Sequence, residues 1–397
     1  MKTAIWLYLF LFVAFFDLHA QFPILSPFAL SLGATPSFIG LIMGVYSITH
    51  LPGNLLAGVG VDRYGSRFFI AASLVGAGLL LLLQSRVTDP WQLLAIRSVS
   101  GFVLAFLSPA CMSLLAKLAR DRFMQGKLMA GNGLVHTLAS VVSPAAGAFL
   151  VAEFGFTASF IALGWILMAT GVFALLGIRD RQAVSADGET AALHAGHMHA
   201  PVSAPHAGEK GMQAIDMPTP LMFFAIPLAI SCSQGILFFE LPLLKESQAS
   251  IMTSGLLFSM VSLGALITLS MLFLNRFSSF IRTALGAVAL ALTFFGMSIN
   301  WAFPLSVSLV LIGMAKGVIF PAMTTLLATI SSAGRYGRVF SVLSIAMSIG
   351  AFLGPMLAGH LRDHISPFFI AFIVLMLALI CLTPTRIMAM GSAEARH

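Results

Sequence analysis

Asp17 and Arg97 are the two side chains whose chemistry is hardest to ignore. Asp17 falls near the middle of the first long apolar run of this 397-residue chain, and Arg97 about a third of the way into the fourth. Ionisable groups at membrane depth are costly, and they mark ion or substrate paths. A lone buried carboxyl stays protonated, whereas a guanidinium nearby favours its ionised form. Moving that Arg, or placing a cationic compound beside the carboxylate, then changes how firmly a proton is held. The pair therefore suits proton coupling, and its structural alternative is a static ion pair that only fixes helix packing. Gln21 lies one turn after Asp17 on the same helical face, while His19, about 200° round the helix, is expected to face elsewhere.

Other polar groups in apolar runs extend the candidate site. His50 and His136, each one turn from an Asn (Asn54 and Asn132), are candidates for the same cavity as Gln21, because imidazole titrates near neutral pH; hydrogen-bonded packing is the alternative. Ser231 and Gln234 sit at a depth suited to substrate contact in the seventh run, and Lys316 is the one basic residue deep in a span of the second half. Glu240, near the outer end of the seventh run, is expected at an outer gate or interface. His194, His197, His199 and His206 have loose metal-ligand spacing in a polar stretch, but no Cys or acid completes a site, so they are weak candidates and no metal or cofactor is expected.

The elements that hold these residues follow from composition. Charged residues make up 9% of the chain, hydrophobic residues 59%, and the mean hydropathy is +0.99, which excludes a water-soluble globular domain of this size. Runs long enough to span occur near 4–30, 37–59, 68–86, 91–117, 127–151 and 157–178, then near 219–243, 251–275, 280–300, 303–330, 337–361 and 367–390. The expected domains are thus a six-helix bundle over 1–178, a cytoplasmic His-containing linker over 179–218, and a second bundle over 219–397. The N-terminal run imitates a secretory leader, but Asp17 interrupts it and it continues to about Leu32. Cys111, Cys232 and Cys381 lie in apolar runs without paired spacing and suggest neither a disulfide framework nor a zinc site.

Apart from Arg97 and Lys316, the basic residues fall in loops and termini. Arg86, Lys245 and Arg362 share one side and all the others share the opposite one, which places both termini and the linker in the cytoplasm. The halves also echo each other. Phe38-Ile39-Gly40-Leu41 corresponds to Thr253-Ser254-Gly255-Leu256, and Ser108-Pro109-Ala110-Cys111-Met112 to Phe320-Pro321-Ala322-Met323. Ser143-Pro144-Ala145-Ala146-Gly147 likewise corresponds to Gly354-Pro355-Met356-Leu357-Ala358-Gly359. Parallel repeats of this kind are a transporter architecture.

Between the second and third spans lies Gly58-Val59-Gly60-Val61-Asp62-Arg63-Tyr64-Gly65-Ser66-Arg67. This stretch resembles the signature loop of the major facilitator superfamily: Gly58, Asp62, Arg63, Gly65 and Arg67 fit, and Ser66 stands where a first basic residue is usual. Arg97 followed by Gly101 resembles the family's motif in the fourth helix, whose Arg is associated in proton-coupled members with a carboxylate in the first. The Ser143–Ala148 stretch resembles the antiporter motif, with Ser143 and Ala148 in place of its first and last Gly. Asn275-Arg276-Phe277-Ser278-Ser279-Phe280-Ile281-Arg282 is a worn second copy of the loop.

The resemblance implies an all-α membrane protein with twelve transmembrane helices in two pseudo-symmetric six-helix bundles, close to the drug:proton antiporter branch. It implies a conformational latch at Gly58, Asp62, Arg63, Gly65 and Arg67, and proton coupling at Asp17 and Arg97. Secondary active transport by alternating access follows, with proton-coupled export of a small amphipathic compound or drug across a bacterial-type inner membrane. The alternatives are a dedicated carrier for a metabolite, metallophore or lipid, or, in another class, a membrane receptor or intramembrane enzyme. No phosphate-binding loop is present, since Gly126-Lys127 is followed by Leu128. Expected partners are a small-molecule substrate, protons and the lipid bilayer, with no nucleic acid, and the chain is expected to be monomeric.

Overall fold

A computed structural model describes residues 2–119, 122–177, 221–244, 250–330 and 336–381. Among them the regular structure is helical: α1 (Lys2–Ala20), α2 (Phe22–Ser31), α3 (Pro36–Tyr64), α4 (Ser66–Gln84), α5 (Pro90–Leu104), α6 (Leu107–Leu118), α7 (Arg122–Gly177), α8 (Ala225–Glu240), α9 (Ile251–Ser270), α10 (Ser279–Ser298), α11 (Leu305–Ile330), α12 (Tyr336–Leu361) and α13 (Pro367–Cys381). Ten stretches are long and apolar enough to cross a membrane. One of them, Met124–Gly177, holds two spans, and α13 supplies a shorter one, so the architecture agrees with a twelve-helix fold of two six-helix bundles.

Local chemistry sets the helix ends. Thr35 and Asp89 cap α3 and α5 by accepting from the amides of Phe38 and Trp91, with Pro36 and Pro90 at the first helical positions, where a missing N–H costs nothing. Ser250 and Ser278 cap α9 and α10 in the same way. Gly65, between α3 and α4, has φ 88° and ψ 150°, a backbone conformation that side chains with a Cβ resist.

The structure departs at three places from the helices expected from hydropathy. The first span is broken at Gln21 between α1 and α2, because Pro23 has no N–H to offer the His19 carbonyl. The fourth is broken between α5 and α6, where Pro109 leaves the Ala105 carbonyl without its donor. The fifth and sixth, both within α7, follow each other without a loop, parted only by a kink at Gly155, whose φ of 78° and ψ of 172° are not helical.

In the first bundle α1 and α4 both pack on α7, and α3 packs on α5. The second repeats the theme with α8 on α12, α9 and α10 on α11, and α13 on α8 and α10. The bundles meet along two seams, α3 against α12 and α7 against α9. Small residues close both: a Cβ on Gly44 would lie 2.7 Å from the Phe352 carbonyl oxygen, and one on Gly40 would strike the Pro355 carbonyl. In the other seam a Cβ on Gly255 would strike the Pro144 carbonyl and the Ala148 side chain. Ser37 donates to the Gly359 carbonyl at 3.1 Å. These approaches all lie toward the end of the molecule away from Gly65.

Candidate functional site

The break at Gln21 turns the first span beside α5, and this brings three polar side chains together. Asp17, Gln21 and Arg97 are 2%, 4% and 5% exposed. Gln21 Nε2 donates to both carboxylate oxygens of Asp17 at 3.0 Å, and Arg97 Nη1 donates to Gln21 Oε1 at 2.9 Å. No direct ion pair joins Asp17 to Arg97 among the described residues; the amide stands between them. Its orientation is forced, since a carboxylate offers only acceptors and a guanidinium only donors.

Tyr46 roofs the group, with its ring centroid 4.7 Å from the Arg97 guanidinium carbon. Gly101 explains how. One turn after Arg97, its missing side chain leaves room for the Tyr46 carbonyl and the Thr49 hydroxyl, so α3 lies close on α5. The Arg and Gly of this motif thus do one job, a cation and the gap that lets its aromatic cover approach. Tyr46 in turn lies 5.7 Å from the His50 ring, and Asn54 hydrogen-bonds His50 Nδ1 at 2.9 Å.

His19 was expected to face away from the site, and it does point away from Asp17. What the sequence does not reveal is that this other face looks onto the second bundle. His19 Nδ1 bonds the Phe15 carbonyl at 2.7 Å, and its ring lies 5.1 Å from His136 and 5.4 Å from Phe22, edge-on to both. Phe22 contacts Phe238 at 4.4 Å, and Phe238 contacts Phe258 at 5.3 Å. Lys316 Nζ stands 5.7 Å from the Phe238 ring and 6.0 Å from that of Phe320. Histidines from α1 and α7, phenylalanines from α2, α8 and α9, and the α11 lysine therefore form one continuous cluster where the bundles face each other. The available signal was the angle itself: Asp17 and His19 lie on opposite faces of one helix, so one of them had to look outward from the first bundle.

The remaining candidates are dispersed. Ser231 donates to the Met347 carbonyl at 2.6 Å and so fastens α8 to α12, while Gln234 is half-buried one turn on. Glu240 is buried at the sealed end, with Oε1 3.1 Å from Arg362 Nη2, which also donates to the Leu243 carbonyl at 3.2 Å. In the signature loop, Gly58 lies within α3, Gly65 makes the reversal, Arg63 is exposed over the Tyr64 ring, and Arg67 donates to the Leu175 carbonyl near the end of α7. The Asp62 side chain and His194, His197, His199 and His206 lie outside the described residues.

Comparison with known proteins places this geometry in context. A family model described as Major Facilitator Superfamily matches residues 7–299 and 279–391. An uncharacterized MFS-type transporter of Methanocaldococcus jannaschii is 27% identical over 158 residues, 40% of this chain and 41% of that protein. Multidrug resistance protein MdtG of Enterobacter lignolyticus is 30% identical over 164 residues, 40% of this chain and 38% of that protein. The chain thus matches about two fifths of the length of these relatives. Among solved structures, a POT family transporter in complex with a thioalcohol-conjugated peptide aligns with a TM-score of 0.74 at 14% identity, over 99% of this chain and 96% of that one. The human organic anion transporter MFSD10 aligns with a TM-score of 0.63 at 15% identity, over 96% and 98%. At these identities the structures share the fold.

Proposed function

This chain belongs to the Major Facilitator Superfamily and is a multi-pass membrane transporter rather than an enzyme, and from that premise we propose proton-coupled export of a small amphipathic compound. One observation carries the proposal: a carboxylate at membrane depth is linked through Gln21 to Arg97 at the point where the first span is broken. When a proton binds an Asp17 oxygen, that oxygen becomes a hydroxyl donor and can no longer accept from Gln21 in the same geometry. The amide is released from one partner, and its hold on Arg97 loosens with it. Proton occupancy then changes the tie between α1 and α5, and motion of that tie changes proton affinity in return.

Residues 1–178 and 219–397 act, on this reading, as two bundles rocking about the cluster between them, with residues 179–218 as the tether and both termini cytoplasmic. The basic residues at one end of the chain's loops support that orientation in an inner membrane. The two glycine seams close the outer end, and alternating access requires them to part. A drug-like substrate is supported by the aromatic cluster and by the likeness to the multidrug resistance protein MdtG. The test is a pH-sensitive dye trapped in proteoliposomes holding the purified full chain. Substrate-dependent proton movement is expected, and substrate flux with no proton movement would overturn the coupling.

A further inference from the structure

Asp17 and Glu240, the two acids buried among the described residues, are both spoken for. Asp17 faces into the first bundle and is held by Gln21, and Glu240 lies at the sealed end with Arg362. Lys316 differs. Among the described residues no carboxylate lies within ion-pair distance of it, and its neighbours are the faces of Phe238 and Phe320. At 5.7 and 6.0 Å these rings sit at the outer limit for a cation–π contact, about 6 Å, so they guide the ammonium without neutralising it. A cation at membrane depth with no counter-ion is costly unless something brings the charge.

The surroundings define what that something is. Phe22, Phe238 and Phe258 offer an apolar wall drawn from both bundles, and Lys316 is half-buried beside it. His19 and His136 continue the wall and add no negative charge. We infer that this cluster binds an amphipathic organic anion, its apolar body against the half-buried rings of Phe22 and Phe238, which Phe258 backs from the core, and its anionic head on Lys316. A cationic compound at the same place would face an uncompensated like charge in a low-dielectric cleft. The inference rests on the transporter reading and gives it a substrate class. It also fits export energetically, since an interior-negative potential favours outward movement of a negative charge.

The experiment uses one skeleton with three heads: 4-phenylbutyrate, 4-phenylbutanamide and 4-phenylbutylamine, tested for binding to the purified full chain by thermal shift and titration. The carboxylate is expected to bind more tightly than the amide, and the amine most weakly. Lys316→Gln should weaken 4-phenylbutyrate by about tenfold or more, the weight of a lost charge-assisted hydrogen bond, and leave the amide within about twofold. Lys316→Arg should retain the carboxylate, and amide binding reports that the Gln variant is folded. Equal binding of amine and carboxylate, an unchanged Gln variant, or binding of none of the three would overturn the inference. Carboxylate binding without flux driven by a pH gradient would instead sink the transport proposal and leave the anion site standing; gradient-driven flux of the amine alone would do the reverse.

Discussion

Gln21 cannot titrate, yet the geometry makes it the link through which Asp17 and Arg97 sense each other. Gln21→Leu should therefore uncouple protons from transport although both charged residues remain. Losing the amide leaves a buried carboxylate and guanidinium without their shared partner, a loss of about 1.5–3 kcal/mol for each charge-assisted bond, or roughly tenfold to a hundredfold in the linked equilibrium. Proton flux in reconstituted vesicles is the measurement, and wild-type coupling in this variant would show that the two charges act without the bridge. Asp17 and Arg97 were legible because charge in an apolar run is conspicuous. Gln21 was legible as a neighbour of Asp17 through helical spacing, but its bond to Arg97 joins residues 76 apart in sequence and depends on how two spans are turned. The role of His19 was hidden for a related reason. Its angle from Asp17 follows from helix geometry, whereas what occupies the opposite side is decided by the second bundle.

At the scale of elements, the repeat visible in the sequence reappears as contact. The echoed segments pack crosswise: Gly40 of α3 against Pro355 of α12, and Gly255 of α9 against Pro144 of α7. Each glycine opens its helix and each proline lies in the outer half of its partner, so the two seams are equivalents under the pseudo-symmetry of the bundles. Gly40→Ala and Gly255→Ala should both force the seams apart by overpacking, at a cost of about 1–3 kcal/mol each. Cysteine accessibility near the sealed end should rise several-fold in both. Gly177→Ala serves as the control, because a Cβ there meets nothing within 4 Å. A rise in one seam variant only would deny their equivalence. Hydropathy located the spans well because apolar length is a local property. Hydropathy alone does not show the breaks at Gln21 and before Leu107, because an apolar run reads the same whether straight or interrupted; the cause lies in single prolines, of which Pro23 marks a bend in the first span from sequence while Pro109 gave no such expectation.

For the whole molecule, the sealed seams and the signature loop lie at opposite ends, which is the arrangement a two-gate transporter needs. If Asp62 latches helix ends at the loop side in the alternate state, Asp62→Asn should shift the population toward opening there, several-fold to about a hundredfold for a bond of about 1–3 kcal/mol. Asn275→Ala in the worn copy should matter far less. Labelling of introduced cysteines from each side of the membrane distinguishes the two, and equal shifts in both variants would leave the loop as a turn that sets topology. The twelve-span plan and its two halves could be read from sequence, since composition and repetition survive in it. Which end is sealed could not, because the seal rests on contacts between residues far apart in sequence, such as Gly40 and Pro355. The most direct test of proton coupling compares two reactions of the same reconstituted protein, using whichever of the three phenylbutyl probes binds. Asp17→Asn should still exchange the probe across the membrane at equilibrium, since exchange moves no net proton, and should lose its accumulation against a gradient when a pH difference is imposed. Full gradient-driven accumulation by Asp17→Asn would contradict the account.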